Sequence, residues 1–517
     1  MPAVSEHFER VDSDELAQFG YKQELDRSLG GFSSFAAGFS YISILTGVFQ
    51  LFGFAFLLAG PAFFWSWPIV FIGQFLVALC FAELAGQYPL AGSVYQWSKQ
   101  TAKALTSWMA GWLLLIGSIV TVAAVAVAYQ VILPQVWSSF QFVGSPADAG
   151  LTTTPGGAQN AVILAVGLVV FTTVVNMIGV KLMSRINNVG VAAELVGVAL
   201  LIVLLAIHIT RGPGVVFETN NTGDGHSLGY LGAFLGGSIV SVYVMYGFDT
   251  AGSLAEETNN PRKQAPKAIL RALAAAGLAG GLLILVAMMT LSNVGAKEIG
   301  ELGLPFVVKD ALGNTLGDIF LIDAALAITV CCLAVHTAGI RMMFSMARDD
   351  RLPAGSAVAR VSGKSKTPIV PALVIGGLTI LLLVINIGNQ RVFSVLISVA
   401  IILFYLAYLC VTGPLLLARL RGDWPKPDHG AYFSLGRWGL PVNLIAVVYQ
   451  VIAIVNLAWP REDIYGADHW YFQYGAFVFI GVIVLVGGIY YFAVQRDKPA
   501  EPLPEHRAEI DAALAQI

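Results

Sequence analysis

The feature that most limits what this chain can fold into is a succession of apolar stretches, each long enough to cross a lipid bilayer, joined by short polar connections. A helix rising 1.5 Å per residue needs about 20 apolar residues to span a hydrocarbon core about 30 Å thick. Such stretches lie near residues 32–58, 62–88, 105–133, 159–180, 186–208, 232–256, 269–292, 315–345, 368–388, 392–418, 438–458 and 471–494. Lipid offers no hydrogen bonds, so each stretch must satisfy its own backbone, and a helix does so within the segment itself. The pattern predicts an all-α integral membrane protein with 12 transmembrane helices.

Composition removes the main alternatives. Hydrophobic residues make up 57% of the 517 and charged residues 12%, where soluble proteins carry roughly a quarter charged. The longest connections, 134–158, 209–231, 346–367 and 419–437, are too short to fold as a catalytic domain. No nucleotide cradle and no nucleophile motif are present, so the chain is not expected to be an enzyme or to hold a cofactor or metal. Net charge is −3 with the basic residues dispersed, which gives nucleic acid no cationic face. Cys80, Cys331, Cys332 and Cys410 all lie in apolar runs and read as small packing residues. The first 31 residues, with Glu6, Glu9, Arg10, Asp12, Asp14, Glu15, Lys22, Glu24, Asp26 and Arg27, contain no apolar stretch and do not read as a cleavable signal peptide.

Lysine and arginine orient the spans, because cytoplasmic loops retain positive charge. With both ends inside, the outer side holds Arg211, Lys297, Lys309, Arg391 and Arg461, and the inner side holds the other 24 of the 29 basic residues. Both termini are therefore expected in the cytoplasm. The divisions are an N-terminal segment 1–31, spans one to five over 32–210, spans six to ten over 232–418, spans eleven and twelve over 438–494, and a C-terminal tail 495–517.

Two spans look interrupted. Span one carries Ser40, Tyr41, Ser43, Thr46 and Gly47 at its middle, and span six carries Gly247, Asp249 and Thr250. The two lie five spans apart, and an odd spacing makes the second copy enter the membrane upside down, as in an inverted-repeat transporter. Where a helix unwinds at mid-membrane, the second half starts with unpaired N–H groups that attract an anion, and the first half ends with carbonyls that attract a cation. Close packing is the plainer account of either glycine taken alone.

The segment YGFDTAGSLAEETNNPRKQAPKAI resembles the sixth span and following loop of the amino acid-polyamine-organocation superfamily, most closely its amino acid/choline transporter branch, which includes γ-aminobutyrate permeases. SYISILTGVFQLFG, GPAFFWSWP, AELAGQYPLAGSVYQW, NMIGVKLMSRINNVG and RMMFSMARDDRLP agree with it, so the resemblance runs from about residue 29 to 420. It implies a five-plus-five inverted repeat of the leucine-transporter type with two added C-terminal helices. By position it implies a substrate carboxylate at Ser43, Ile44, Leu45, Thr46 and Gly47, and an amine at Tyr246, Gly247, Phe248 and Asp249. Many amino acid permeases have more glycine at the first break, where this chain has Ile44 and Leu45.

Ionisable residues in the hydrocarbon are functional candidates by default. Glu194 lies about 12 Å into span five. It resembles in position a lysine that stands in for a sodium ion in proton-coupled relatives, and a carboxylate there can take a proton, sit near a cation, or fasten span five to span one. Asp249 can cap the second half of span six or meet an amine beside Tyr246 and Phe248. His336 is a second candidate for proton coupling, although its 13-residue separation from Asp323 puts the two about 140° apart on span eight. Glu83 reads as interfacial; Glu256 and Glu257, just before the basic run Arg262, Lys263 and Lys267, read as ordinary interfacial charges or as ion-paired with neighbouring inner loops in a cytoplasmic latch.

The expectation is a multi-pass transporter of the plasma membrane that imports an amino acid or related amine such as γ-aminobutyrate, driven by protons or sodium with protons favoured. Its partners are a small-molecule substrate and the lipid bilayer, with no nucleic acid. A carrier of choline, ethanolamine or polyamine, and a transporter-like nutrient sensor, are the rival readings.

Overall fold

A computed structural model describes residues 16–224, 228–388, 392–426, 432–462, 473–498 and 501–507. The acidic residues Glu6 to Glu15, Arg391, the start of span twelve at 471–472 and the end of the tail at 508–517 lie outside these. Ten described helices are long and apolar enough to cross a membrane. Two shorter apolar helices, Tyr230–Val244 and Ile369–Ile385, complete the set at the sixth and ninth places. The chain is an all-α multi-pass membrane protein.

Helix ends follow local chemistry. Spans two, four and seven begin at Pro61, Pro155 and Pro261, where a missing N–H is harmless and the fixed φ suits the first turn. Thr154 adds a cap by accepting from Gly157 N–H at 3.2 Å. Span seven, Pro261–Met289, starts eight residues before the apolar run, because Arg262, Lys263 and Lys267 are already helical. Span eight is longer still, Leu304–Arg348, with a kink at Gly313, whose φ of +76° an L side chain rarely adopts.

The packing shows the inverted repeat. Span two packs on seven and four on nine, while three packs on ten as eight packs on five. Each pairing becomes another, or itself, when five is added to or taken from both numbers, as a two-fold axis in the membrane plane requires. Short helices obey it too: Ser93–Thr101 follows span two at one face, and Lys297–Leu302 follows span seven at the other. Spans one and three are almost wholly buried, whereas eleven and twelve are mostly exposed and lie at the periphery.

The face that carries most of the basic residues is closed by a buried ionic layer, which corrects the interfacial reading of Glu83 and pairs Glu256 and Glu257 with arginines at the end of span eight. Glu256 accepts from Arg348 at 2.5 and 2.9 Å, and Glu257 from Arg341 at 2.7 and 3.0 Å, all four residues being buried. Asp349 accepts from Tyr21 and Tyr95, both at 2.9 Å, and pairs with Lys99 at 2.5 Å. Glu83 is fully buried and accepts from Arg419, Trp424 Nε1, Ser434 Oγ and Leu435 N–H, tying span two to span ten and the chain beyond it. Interfacial position along the chain had concealed how the tertiary fold covers these carboxylates.

Breaking a buried pair by removing one partner costs about 3–5 kcal/mol, because it strands a charge away from water. Glu83→Ala is therefore expected to lower the unfolding temperature of the detergent-purified protein markedly. Adding Arg419→Ala to it should recover part of the loss; strictly additive effects in the double variant would show that the two side chains are not energetically coupled.

Candidate functional site

Span one is two helices, Gly31–Ile42 and Ile44–Ala59, and the break falls at Ser43, not at Gly47. Ser43 has φ 33° and ψ 101°, a conformation costly for a residue with a side chain. Its side chain and a distant carboxylate hold it there. Ser43 Oγ–H donates to Glu194 Oε1 at 2.9 Å, and Leu45 N–H donates to the same oxygen at 3.1 Å. Ser43 has one hydroxyl proton, so Thr46 Oγ1–H must donate to Ser43 Oγ at 2.6 Å, alongside Thr46 N–H at 3.3 Å. Glu194 thus does fasten span five to span one, and its second oxygen, Oε2, is buried with no hydrogen-bond partner.

Gly47 lies inside the second helix, its N–H bonded to Ser43 O at 3.1 Å. A Cβ there would press on a methyl of Val244, so this glycine lets spans one and six approach.

Span six breaks where the sequence placed it. Helix ends at Val244, and Met245 to Asp249 are irregular before a single turn, Thr250–Ser253. Gly247 has φ +90°, and a Cβ on it would collide with the Tyr41 ring, so both backbone and space require glycine. Its N–H donates to Tyr408 Oη at 2.9 Å. Asp249 precedes the turn but makes no capping bond. Its carboxylate instead accepts from Tyr408 Oη–H and, at 2.8 Å, from Ser93 Oγ–H. Each oxygen has one such partner, which corrects the N-cap role read from sequence.

Between the breaks lies a small cavity lined by Tyr41, Ile42, Thr46, Gly47, Thr121, Val125, Tyr243, Tyr246 and Cys331. Its volume of about 10 Å³ is that of one water-sized sphere. Aromatic rings enclose it: Tyr246 lies 4.7 Å from Phe404 and 6.0 Å from Tyr41, centroid to centroid. Lys297–Leu302 packs on the second half of span one, with Gly53 against the Ile299 and Gly300 carbonyls.

The structure thus brings Ser43, Thr46, Gly47, Tyr246 and Glu194 together, with Ile44 and Leu45 supplying backbone at the break. Phe248 faces away, against Phe81 and Tyr408. His336 is distant in bonding terms: Nδ1 meets Thr172 at 3.1 Å and Nε2 meets the Ala372 carbonyl at 3.3 Å, which ties span eight to spans four and nine. Tyr41 was noted only as one of the polar residues that interrupt span one, and Tyr243, Thr121, Phe404 and Cys331 were missed. A hydroxyl inside an apolar helix was the available signal for Tyr41, Tyr243 and Thr121, while Cys331 read as plain packing. Among the described residues, no group of three or more His, Cys, Asp or Glu side chains could hold a metal.

Comparison with known proteins fixes the family. The sequence profile of the family described as Amino acid permease matches residues 29–485. The chain belongs to the amino acid permease family. It is a transporter rather than an enzyme, and its substrate is a small molecule that it meets within the membrane. It is 26% identical to Amino-acid permease BAT1 of Arabidopsis thaliana, over 86% of this permease and 88% of that protein. It is 28% identical to Branched-chain amino acid permease BcaP of Bacillus subtilis (strain 168), over 86% and 91%. It is 30% identical to Methylthioribose transporter of the same organism, over 77% and 86%. The crystal structure of MhsT in complex with L-phenylalanine shares the fold, with a TM-score of 0.57 at 17% identity over 84% of this permease and 99% of that chain.

The two glycines should separate in experiment. Gly247→Ala forces a side chain into a positive-φ position at a cost of about 1–3 kcal/mol before the clash with Tyr41 is counted. Gly47→Ala is helical and needs a shift of one Val244 methyl. Thermal unfolding should show a clearly larger loss for Gly247→Ala; equal losses would contradict the strained geometry.

Proposed function

We propose that this permease imports an amino acid or related amine, γ-aminobutyrate-like in having an amine and a carboxylate, across the plasma membrane with a proton, both termini being cytoplasmic. The observation that carries the reading is the pair of broken helices facing one closed cavity. Span one offers the start of a helix to a carboxylate, and span six offers unwound backbone beside aromatic rings to an amine. The relatives' names point the same way and widen the class, since they include amino acids and methylthioribose. The orientation rests on the 24 basic residues against five.

Coupling is assigned to Glu194. It is buried at mid-span, holds the broken segment directly, and has one oxygen without a partner. A proton is the smallest cation that could occupy that oxygen, and no resident cofactor is invoked. His336, with both ring nitrogens engaged between helices, is left a structural role. The aromatic lining gives a second reading some support, an organic amine without a carboxylate such as choline, ethanolamine or a polyamine.

Uptake of labelled γ-aminobutyrate, leucine and putrescine into proteoliposomes, with and without an imposed proton gradient, tests this. Gradient-driven accumulation of at least one is expected. Glu194→Gln should lower accumulation against a gradient by at least tenfold while exchange of solute present on both sides falls much less, because coupling needs a group that both gains and loses its proton. Full accumulation with an unchanged pH profile in that variant would make Glu194 structural.

A further inference from the structure

The amide groups at the start of span one's second half are spoken for, and that bears on how proton and substrate are linked. A 16-residue helix, Ile44–Ala59, begins at mid-membrane, and a helix start is a ready anion site. Yet Leu45 N–H is held by Glu194 Oε1, Thr46 N–H by Ser43 Oγ, and Gly47 N–H by Ser43 O. The same Glu194 oxygen takes the Ser43 hydroxyl. The protein has therefore seated a carboxylate of its own where the reading above seats the substrate's, with its other oxygen buried and unpartnered.

Two carboxylates cannot share these donors cheaply. Like charges a few ångströms apart in a low-dielectric site strongly disfavour joint ionisation. Nor can the donors serve both, since each N–H has one proton to give.

We propose that Glu194 is an internal rival of the substrate carboxylate for the Leu45 N–H near the start of the second half of span one, and that a carboxylate-bearing substrate takes it only when a proton from water has neutralised Glu194. The proton adds to Oε2, the partnerless oxygen, forming one O–H bond and breaking none in the protein. Oε1 then becomes a weaker acceptor and yields its amide to the incoming carboxylate. The site holds one negative charge before and after, so neither partner enters alone. On release the substrate carries its charge away, Glu194 returns its proton to water, and its carboxylate recaptures the amide. This rests on the transport reading above and adds the device by which the two bindings are linked.

Of the carboxylates in this region, Glu194 is the one bonded to the break, although Asp323 Oδ2 is likewise buried without a partner. Span eight faces it with Asp323, which touches Gly197 one turn further along span five, and with Cys331. Span one offers only Tyr41 as an ionisable side chain, and span four offers none. The ionisable residues of span seven, Arg262, Lys263, Lys267 and Arg271, and those of span five itself, Lys181 and Arg185, sit toward the other end of their helices. None of these donates to or accepts from the Ser43 and Leu45 groups.

Thermal-shift titration of the full-length purified protein with γ-aminobutyrate, leucine and phenylalanine across a pH series, with putrescine as the probe lacking a carboxylate, tests the proposal. For the carboxylate-bearing ligands, affinity should fall about tenfold per pH unit on the alkaline side, the slope of one linked proton. Binding in weakly buffered solution should take up about one proton per ligand, and putrescine should take up none. Glu194→Gln should bind the carboxylate-bearing ligands with affinity flat in pH. Should that variant fail to fold, the proton count on the wild type decides alone. An amino acid that binds the wild type with no pH dependence and no proton uptake overturns the rivalry and leaves the transport reading standing, as does proton uptake equal for putrescine. If none of the four ligands binds, the amino acid reading falls and the rivalry with it.

Discussion

Every interruption of a helix inside hydrocarbon has to find partners for the backbone groups it frees, and the rest of this structure is arranged around two such repairs. A buried, unpaired amide costs on the order of 1–3 kcal/mol, so a break persists only where other spans answer it. At span one the answer is Glu194 from span five, reaching the Ser43 hydroxyl and the Leu45 amide. At span six it is Tyr408 from span ten, whose hydroxyl accepts from the Gly247 amide and donates to Asp249. Spans five and ten are equivalent under the two-fold, so the repeat has solved the same problem twice with different chemistry. A carboxylate at one break and a phenol at the other make the halves unequal toward a charged ligand, although their backbones correspond.

How much of this the sequence disclosed depends on how far each partner lies along the chain. Apolar runs of helical length are local, so most spans were legible to within a few residues; span seven begins eight residues early because its first turns carry Arg262, Lys263 and Lys267, and spans five and eight also begin early, at Val180 and Leu304. The break in span six was legible because Gly247 and Asp249 interrupt an apolar run, and only glycine suits the φ found there. The break in span one was drawn to Gly47, the residue that looks permissive, whereas it sits at Ser43 because Glu194, 151 residues away, makes that strained backbone affordable. Asp249 shows the same limit: capping is a local rule, and its actual partners, Tyr408 and Ser93, are 159 and 156 residues distant. Burial of Glu83, Glu256 and Glu257 was hidden for the same reason, since what covers them comes from spans eight and ten.

These bonds also join the site to the closed basic face. From the Gly247 amide the chain of contacts runs through Tyr408 to Asp249, on to Ser93 Oγ, and from there to Ser253 Oγ at 2.8 Å. Two residues before Ser93, Ala91 N–H donates at 2.9 Å to Glu256, the carboxylate that holds Arg348. The short helix Ser93–Thr101 is thus bonded at one end to the break in span six and to the ionic layer. Contiguity of this kind makes a continuous route of hydrogen bonds from the break to the ionic layer.

Magnitudes indicate which contacts along that route yield first. Parting Glu256 from Arg348 or Glu257 from Arg341 would strand buried charges at several kcal/mol each, because both members lie away from water. The bonds from Ala91 to Glu256 and from Ser93 to Asp249 are single hydrogen bonds to charged groups, worth about 1.5–3 kcal/mol apiece, and the hydroxyl pair of Ser93 and Ser253 about 1. Both glutamates sit on the link from span six to span seven, and both arginines on span eight. The Ser93–Thr101 helix is held to the same body by Lys99 and Tyr95 on Asp349, at 2.5 and 2.9 Å, and by Gln96 on Ser345 at 2.9 Å, so the link, the end of span eight and the short helix are bound together as one unit.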